Sequence, residues 1–149
     1  MPAIPWRSIK LVRGSCLCGG VTYEISGEVS PIGQCHCSLC RKTSGSAAGS
    51  TLYAKSDGFR FLSGESLIAS YSRPSGYTST FCSRCGSPLP AAAKSGGFHY
   101  VPAGTLDDDP GHGRVAVHIY VGSKAAWNVI SDEMPQYAEG LDSPRLNPR

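Results

Sequence analysis

GSCLCGGVTYEIS, residues 14–26, holds the two signals that settle the architecture of this chain. Its second half, VTYEIS, alternates apolar and polar residues, the period of a half-buried strand. Its first half places Cys16 and Cys18 two residues apart. On a regular strand such residues share a face but lie about 6.6 Å apart along the chain. Two sulfurs meant to meet therefore need a bend, which Gly14, Gly19 and Gly20 make easy. Outward from this stretch, SAAGSTLYA, FRFL, SLIASYS, YTSTFC, PLPAAA and FHYVPAG read as short strands broken by Gly and Ser. VAVHIYVG, residues 115–122, is the clearest strand, setting Val115, Val117, Ile119 and Val121 against Ala116, His118 and Tyr120. GQCHCSLCRKTSGS, residues 33–46, has no clean period and reads as a structured loop with one helical turn. LDDDPGHG, residues 106–113, is a loop on composition, and Asp107, Asp108 and Asp109 read as a solvated turn. These segments predict a mainly β, single-domain chain of short antiparallel strands.

The 149 residues, 40% hydrophobic, suffice for one core. A formal charge of +3, with Lys and Arg scattered, lacks the basic stripe of a nucleic-acid surface but suits a small anionic substrate. No apolar run approaches the ~20 residues of a membrane span. The amino end is interrupted by Arg7, Lys10 and Arg13 and has no signal-peptide core. The expected location is the cytoplasm, where thiols stay reduced and structural disulfides are rare. With seven cysteines, an odd number, disulfides cannot account for all of them.

The cysteines fall into C-x-C (Cys16, Cys18), C-x-C-x-x-C (Cys35, Cys37, Cys40) and C-x-x-C (Cys82, Cys85). Thiolates bind zinc tetrahedrally at about 2.3 Å, which puts neighbouring sulfurs roughly 3.8 Å apart. A C-x-x-C turn meets that spacing readily, and Gly86 after Cys85 can take the positive φ such a turn needs. Seven divides as four and three. Four thiolates saturate zinc in a structural site, while three leave a vertex open for water or substrate. One loop can present Cys35, Cys37 and Cys40, leaving Cys16 and Cys18 to join Cys82 and Cys85. Spacing equally allows Cys37 and Cys40 to meet Cys82 and Cys85 as a ribbon-like site.

GSCLCGGVTYEISG, CHCSLCRKTSGS, FCSRCGSPL and HIYVGSKAAWNVISDEMPQY together resemble the successive motifs of the glutathione-dependent formaldehyde-activating enzyme family, which includes centromere protein V. The resemblance implies a β-sandwich (β-tent) fold carrying two zinc ions per chain. It implies a structural ion at Cys16, Cys18, Cys82 and Cys85, and a catalytic ion at Cys35, Cys37 and Cys40. Its span implies a zinc domain over residues 14–138, an N-terminal extension over 1–13 and an extended tail over 139–149. The implied activity is that of a carbon–sulfur lyase acting on a thiol adduct, such as S-hydroxymethylglutathione made from glutathione and formaldehyde. Action on another small electrophile, or a zinc-stapled binding module without catalysis, are the alternatives. A protein ligand such as His36 or His99 at the fourth vertex would mark a scaffold.

Around the open site, His36 sits between two ligands, placed either to shuttle a proton or to point away. Arg41, Lys42 and Ser44 follow it as candidate contacts for a substrate carboxylate. Lys124 and Trp127, in the last motif, are further candidate substrate contacts, although a Trp is more often core. His118 reads as a satisfied strand histidine.

Overall fold

The computed structural model describes residues 4–111 and 114–148; the extremities of the N-terminal extension and tail, and the end of the LDDDPGHG loop, lie outside the described residues. From Arg7 the segment read as an extension is built into the sheet: β1 (Arg7–Ser15) pairs antiparallel with β2 (Thr22–Val29), with a register shift between Ile9 and Val12. The alternation of VTYEIS is realised directly. Val21, Tyr23 and Ile25 are fully buried, while Thr22 and Glu24 keep partial access to water. Fully burying apolar side chains of this size stabilises by about 1.5–3 kcal/mol each.

β3 (Gly33–Cys35) is followed by α1 (Ser38–Ser44), a seven-residue helix longer than the single turn expected. Then come β4 (Gly49–Lys55), β5 (Phe59–Ser63), β6 (Ile68–Ser72), β7 (Thr78–Cys82), β8 (Ala91–Ala92), β9 (Phe98–Pro102) and β10 (Val117–Ile119). Among the described residues an eight-stranded sheet runs β1-β2-β4-β3-β10, with β5 on β2 and β8-β9 on β4, while β6 and β7 form a separate hairpin sheet. The expected mainly β architecture is present, with one correction: β3 and β10 run parallel, with Ile119 opposite Cys35. VAVHIYVG is also shorter as a strand than its pattern suggests. Tyr120 adopts a left-handed φ of 55°, which ends β10 and starts a 3-10 turn over Val121–Ser123.

The main core gathers Val12, Tyr23, Ile25, Val29, Leu52, Ala54, Phe59 and Val101 from β1, β2, β4, β5 and β9. The Tyr23 hydroxyl is satisfied by Thr105 Oγ1 at 2.7 Å. A second cluster, Cys16, Val21, Cys82 and Leu89, lies where the large sheet meets the β6–β7 hairpin. The tail is not simply extended. It turns at Gly140–Ser143 and folds back, bridging Tyr137 to Arg145. No helix among the described residues is long and apolar enough to cross a membrane.

Candidate metal centres

The cysteines assemble into two clusters, four and three. The sulfurs of Cys16, Cys18, Cys82 and Cys85 all lie within 4.8 Å of one another, and so do those of Cys35, Cys37 and Cys40. The ribbon-like alternative is thereby excluded. Cys16 and Cys18 sulfurs are 3.6 Å apart and Cys18 and Cys82 sulfurs 3.9 Å. These separations are far too long for a disulfide and match thiolates around a tetrahedral ion.

In the four-cysteine cluster, Cys16 and Cys18 follow β1, while Cys82 ends β7 and Cys85 lies on the turn after it. That turn needs Gly86 at φ 76°, as its position after C-x-x-C predicts. The backbone N–H of Val21 donates to Cys16 Sγ at 3.3 Å. Cys85 lies 3.3 Å from Ser87 Oγ; the Ser87 hydroxyl, helped by the Ser87 backbone N–H, holds the thiol down to about 5. Donors aimed at sulfur favour the thiolate, the form a metal binds. In this set Cys82 is wholly buried and Cys16 nearly so, while Cys85 is half-buried and Cys18 exposed.

The three-cysteine cluster is built by one turn. Cys35 ends β3, Cys37 caps α1 by accepting the Cys40 N–H at 3.3 Å, and Cys40 sits in the first turn of that helix. Gly45 closes α1 with a left-handed φ of 64°. Gly49, opposite Cys35 in β4, leaves room for Cys40: a methyl group there would sit 3.3 Å from Cys40 Cβ. The crowded sulfurs polarise one another. Cys40 and then burial push the Cys35 thiol far up, while Cys35 holds Cys40 down. Three sulfurs at this spacing cannot all ionise without a cation among them, so the donor set fits a metal ion. Among the described residues, no fourth Cys, His, Asp or Glu ligand atom joins the cluster. His99 is engaged elsewhere, hydrogen-bonded to Ser56 and stacked on Phe59.

A sequence profile of glutathione-dependent formaldehyde-activating enzymes matches residues 11–123. The chain belongs to this family. A Halomonas elongata protein, named provisionally as a glutathione-dependent formaldehyde-activating enzyme, is 35% identical over 85 residues, covering 53% of this chain. The chain spans 54% of that relative's length. A crystal structure of a Rhodobacter sphaeroides protein shares the fold at a TM-score of 0.55 and 22% identity, covering 69% of this chain and 96% of that one. The four-and-three division expected from the family motifs is the one the fold builds.

The flanking residues divide. Arg41 is half-buried beside Cys40; one guanidinium nitrogen reaches Ser123 O at 3.4 Å and its Nε is buried without a partner among the described residues. Lys124, adjacent to Ser123, donates to Asn128 O at 2.8 Å, so the fold brings Arg41 and the 123–124 turn together. Lys42 is exposed. The Ser44 hydroxyl is taken up within its own turn by Arg41 O and Ala48 O. Trp127 is 73% exposed, so it is not core.

His36 is 1% exposed and turned onto His118, with Nε2 2.9 Å from His118 Nδ1. His118, 2% exposed, is satisfied at both nitrogens, since its Nε2 donates to Asp132 Oδ2 at 3.0 Å. Two further residues, Tyr77 beside the cluster and Asp132 behind His118, are not singled out by the sequence pattern. Tyr77, at the mouth of the β6–β7 hairpin, meets Thr43 Oγ1 at 2.9 Å and helps to hold the Cys40 thiol down. Nothing in its local sequence signals this, because the contact is made across the fold. Asp132 lies inside the last quoted motif, so the motif was its only signal.

Proposed function

We propose that this chain is a zinc-dependent carbon–sulfur lyase of the S-hydroxymethylglutathione synthase type, working at Cys35, Cys37 and Cys40. The observation that carries this reading is the three-sulfur cluster with no fourth protein ligand among the described residues. Family membership supports the same assignment. Zinc held there would keep a coordinating thiol deprotonated and supply a Lewis acid, while zinc at Cys16, Cys18, Cys82 and Cys85 would be structural.

The reaction joins the glutathione sulfur to the carbonyl carbon of formaldehyde. The carbonyl π bond becomes a C–O single bond, and the proton lost by the thiol ends on that oxygen. The chain's own residues bind and orient the thiol partner. Arg41, half-buried on the helix residue after Cys40, carries a guanidinium suited to a glutathione carboxylate. Lys124, half-buried on the facing turn, adds a second cation. Tyr77 and Thr43 form a polar margin next to Cys40. We place the protein in the cytoplasm, where its ligand thiols remain reduced.

The test is exchange NMR with 13C-formaldehyde and glutathione. The zinc-loaded chain is expected to accelerate exchange between formaldehyde hydrate and the S-hydroxymethyl adduct, and Cys40→Ala to abolish the acceleration. Exchange no faster than in buffer, with both metal sites filled, refutes the assignment.

A further inference from the structure

β3 has two faces, and they carry different chemistry. Cys35 and its partner Gly49 share the face on which Cys40 packs. Gln34 and its partner Ser50 occupy the other, with Gln34 Nε2 donating to Ser50 Oγ at 3.1 Å. The alternation of a strand puts His36 on the Gln34 side, and the contacts agree. Gln34, Ser50, His36, His118 and Asp132 border one polar cavity of about 240 Å³, which none of the three cysteines lines. His36 is the residue between two sulfurs, yet its ring reaches away from them.

On that reverse face His36 is held twice. Its backbone N–H donates to Ile119 O at 2.9 Å, extending the parallel β3–β10 ladder. Its ring meets His118, whose ring meets Asp132, and Asp132 is itself fixed by the Met134 N–H at 2.9 Å. Asp132 can only accept, so His118 carries its proton on Nε2 and offers the Nδ1 lone pair. His36 must then donate from Nε2. One carboxylate thus sets the tautomer of both rings, across 82 residues of sequence between the two histidines.

The backbone angles at residue 36 decide whether the sulfurs of Cys35 and Cys37 converge, because an extended C-x-C would hold them about 6.6 Å apart. We infer that Asp132, His118 and His36 form a positioning chain that fixes the bite of the three-cysteine site from the opposite side of the sheet. The inference rests on the reading of that cluster as a metal site. Asp132 and His118 are positioning residues, and neither is a ligand. Outer-shell partners of this kind commonly alter metal affinity by roughly 10–100-fold.

The experiment loads the full-length chain with zinc and follows release to a chromophoric chelator. The wild type should release two ions in two phases, the faster from the three-cysteine site. Asp132→Ala, at a side chain 41% exposed, should accelerate the fast phase by roughly tenfold or more, leaving the slow phase and the melting temperature nearly unchanged. Asp132→Asn, which keeps a carbonyl oxygen for His118, should restore most of the difference. Long-range 1H–15N spectra should show both histidines protonated on Nε2 in the wild type, with that pattern lost in Asp132→Ala. A fast phase unmoved by Asp132→Ala, or both phases moving together with the melting temperature, overturns the positioning role alone. A wild type that binds only one ion overturns the metal reading and this inference with it.

Discussion

Replacing Cys82 by Ser should destabilise the chain far more than replacing Cys37 by Ser, and the structure says by how much. Cys82 belongs to a cluster tying Cys18 to a residue 64 positions later, across the junction of the two sheets. Treated as a cross-link, closing a loop of that length removes about 4 kcal/mol of unfolded-state entropy, against about 2 kcal/mol for the short loop spanning Cys35 to Cys40. The short loop is in addition held by backbone bonds that need no metal, including His36 N to Ile119 O and Arg41 N to Cys37 O. Cys82 is also wholly buried, so a Ser hydroxyl there adds about 1–3 kcal/mol if it finds no partner. At about 2–4 °C per kcal/mol for a chain of this size, Cys82→Ser should lower the melting temperature by ~10–28 °C. Cys37→Ser should lower it by about half as much or less. Calorimetry on the zinc-loaded variants under reducing conditions measures both. Equal losses, or a larger loss for Cys37→Ser, would refute the division into a structural and an exchangeable site.

Two further outcomes follow from individual contacts. On the proposed activity, Arg41→Ala should raise KM for glutathione by about 5–30-fold with a smaller change in kcat, as expected for loss of a charge-assisted contact to a remote part of a substrate; steady-state kinetics with KM unchanged would remove Arg41 from the proposed site. Burial beneath Phe59 holds His99 below its ordinary 6.5, so the unfolded chain takes up that proton first. The stabilisation is therefore full above about pH 6.5 and lost as the pH falls below it. In urea titrations from pH 7.5 to 5.5, His99→Gln should lose less stability than the wild type; parallel losses would remove His99 as a cause.

The parts legible in the sequence are those governed by short spacings. VTYEIS reports its own burial because alternation is a local property, and the cysteines report ligand spacing for the same reason. Residues 33–46 hid their helix because α1 buries none of its residues and so shows no apolar stripe. Its ends are fixed instead by the Cys37 cap and by Gly45, which a search for periodicity cannot see. Strand periodicity overran β10 because the turn at Tyr120 is set by contacts with residues 137–139, through Tyr120 N to Glu139 O and Val121 N to Tyr137 O. His118 stood on the polar face of its pattern, yet it is buried, since Asp132 and His36 satisfy it from two other segments. Trp127 misled in the opposite direction. Its size suggested core, but the 3-10 turn and the loop after it leave the ring in solvent.

The central claim is that the ion held by Cys35, Cys37 and Cys40 has a vertex to which a thiol can bind. Cobalt substituted for zinc reports this directly through sulfur-to-metal charge-transfer absorption. Glutathione added to the cobalt-loaded chain should raise that band, while S-methylglutathione, whose thioether cannot become an anionic ligand, should leave it unchanged. Formaldehyde added next should diminish the increment, and Cys40→Ala should show no response at any stage. A cobalt spectrum unaltered by millimolar glutathione, with both sites filled, would contradict the claim.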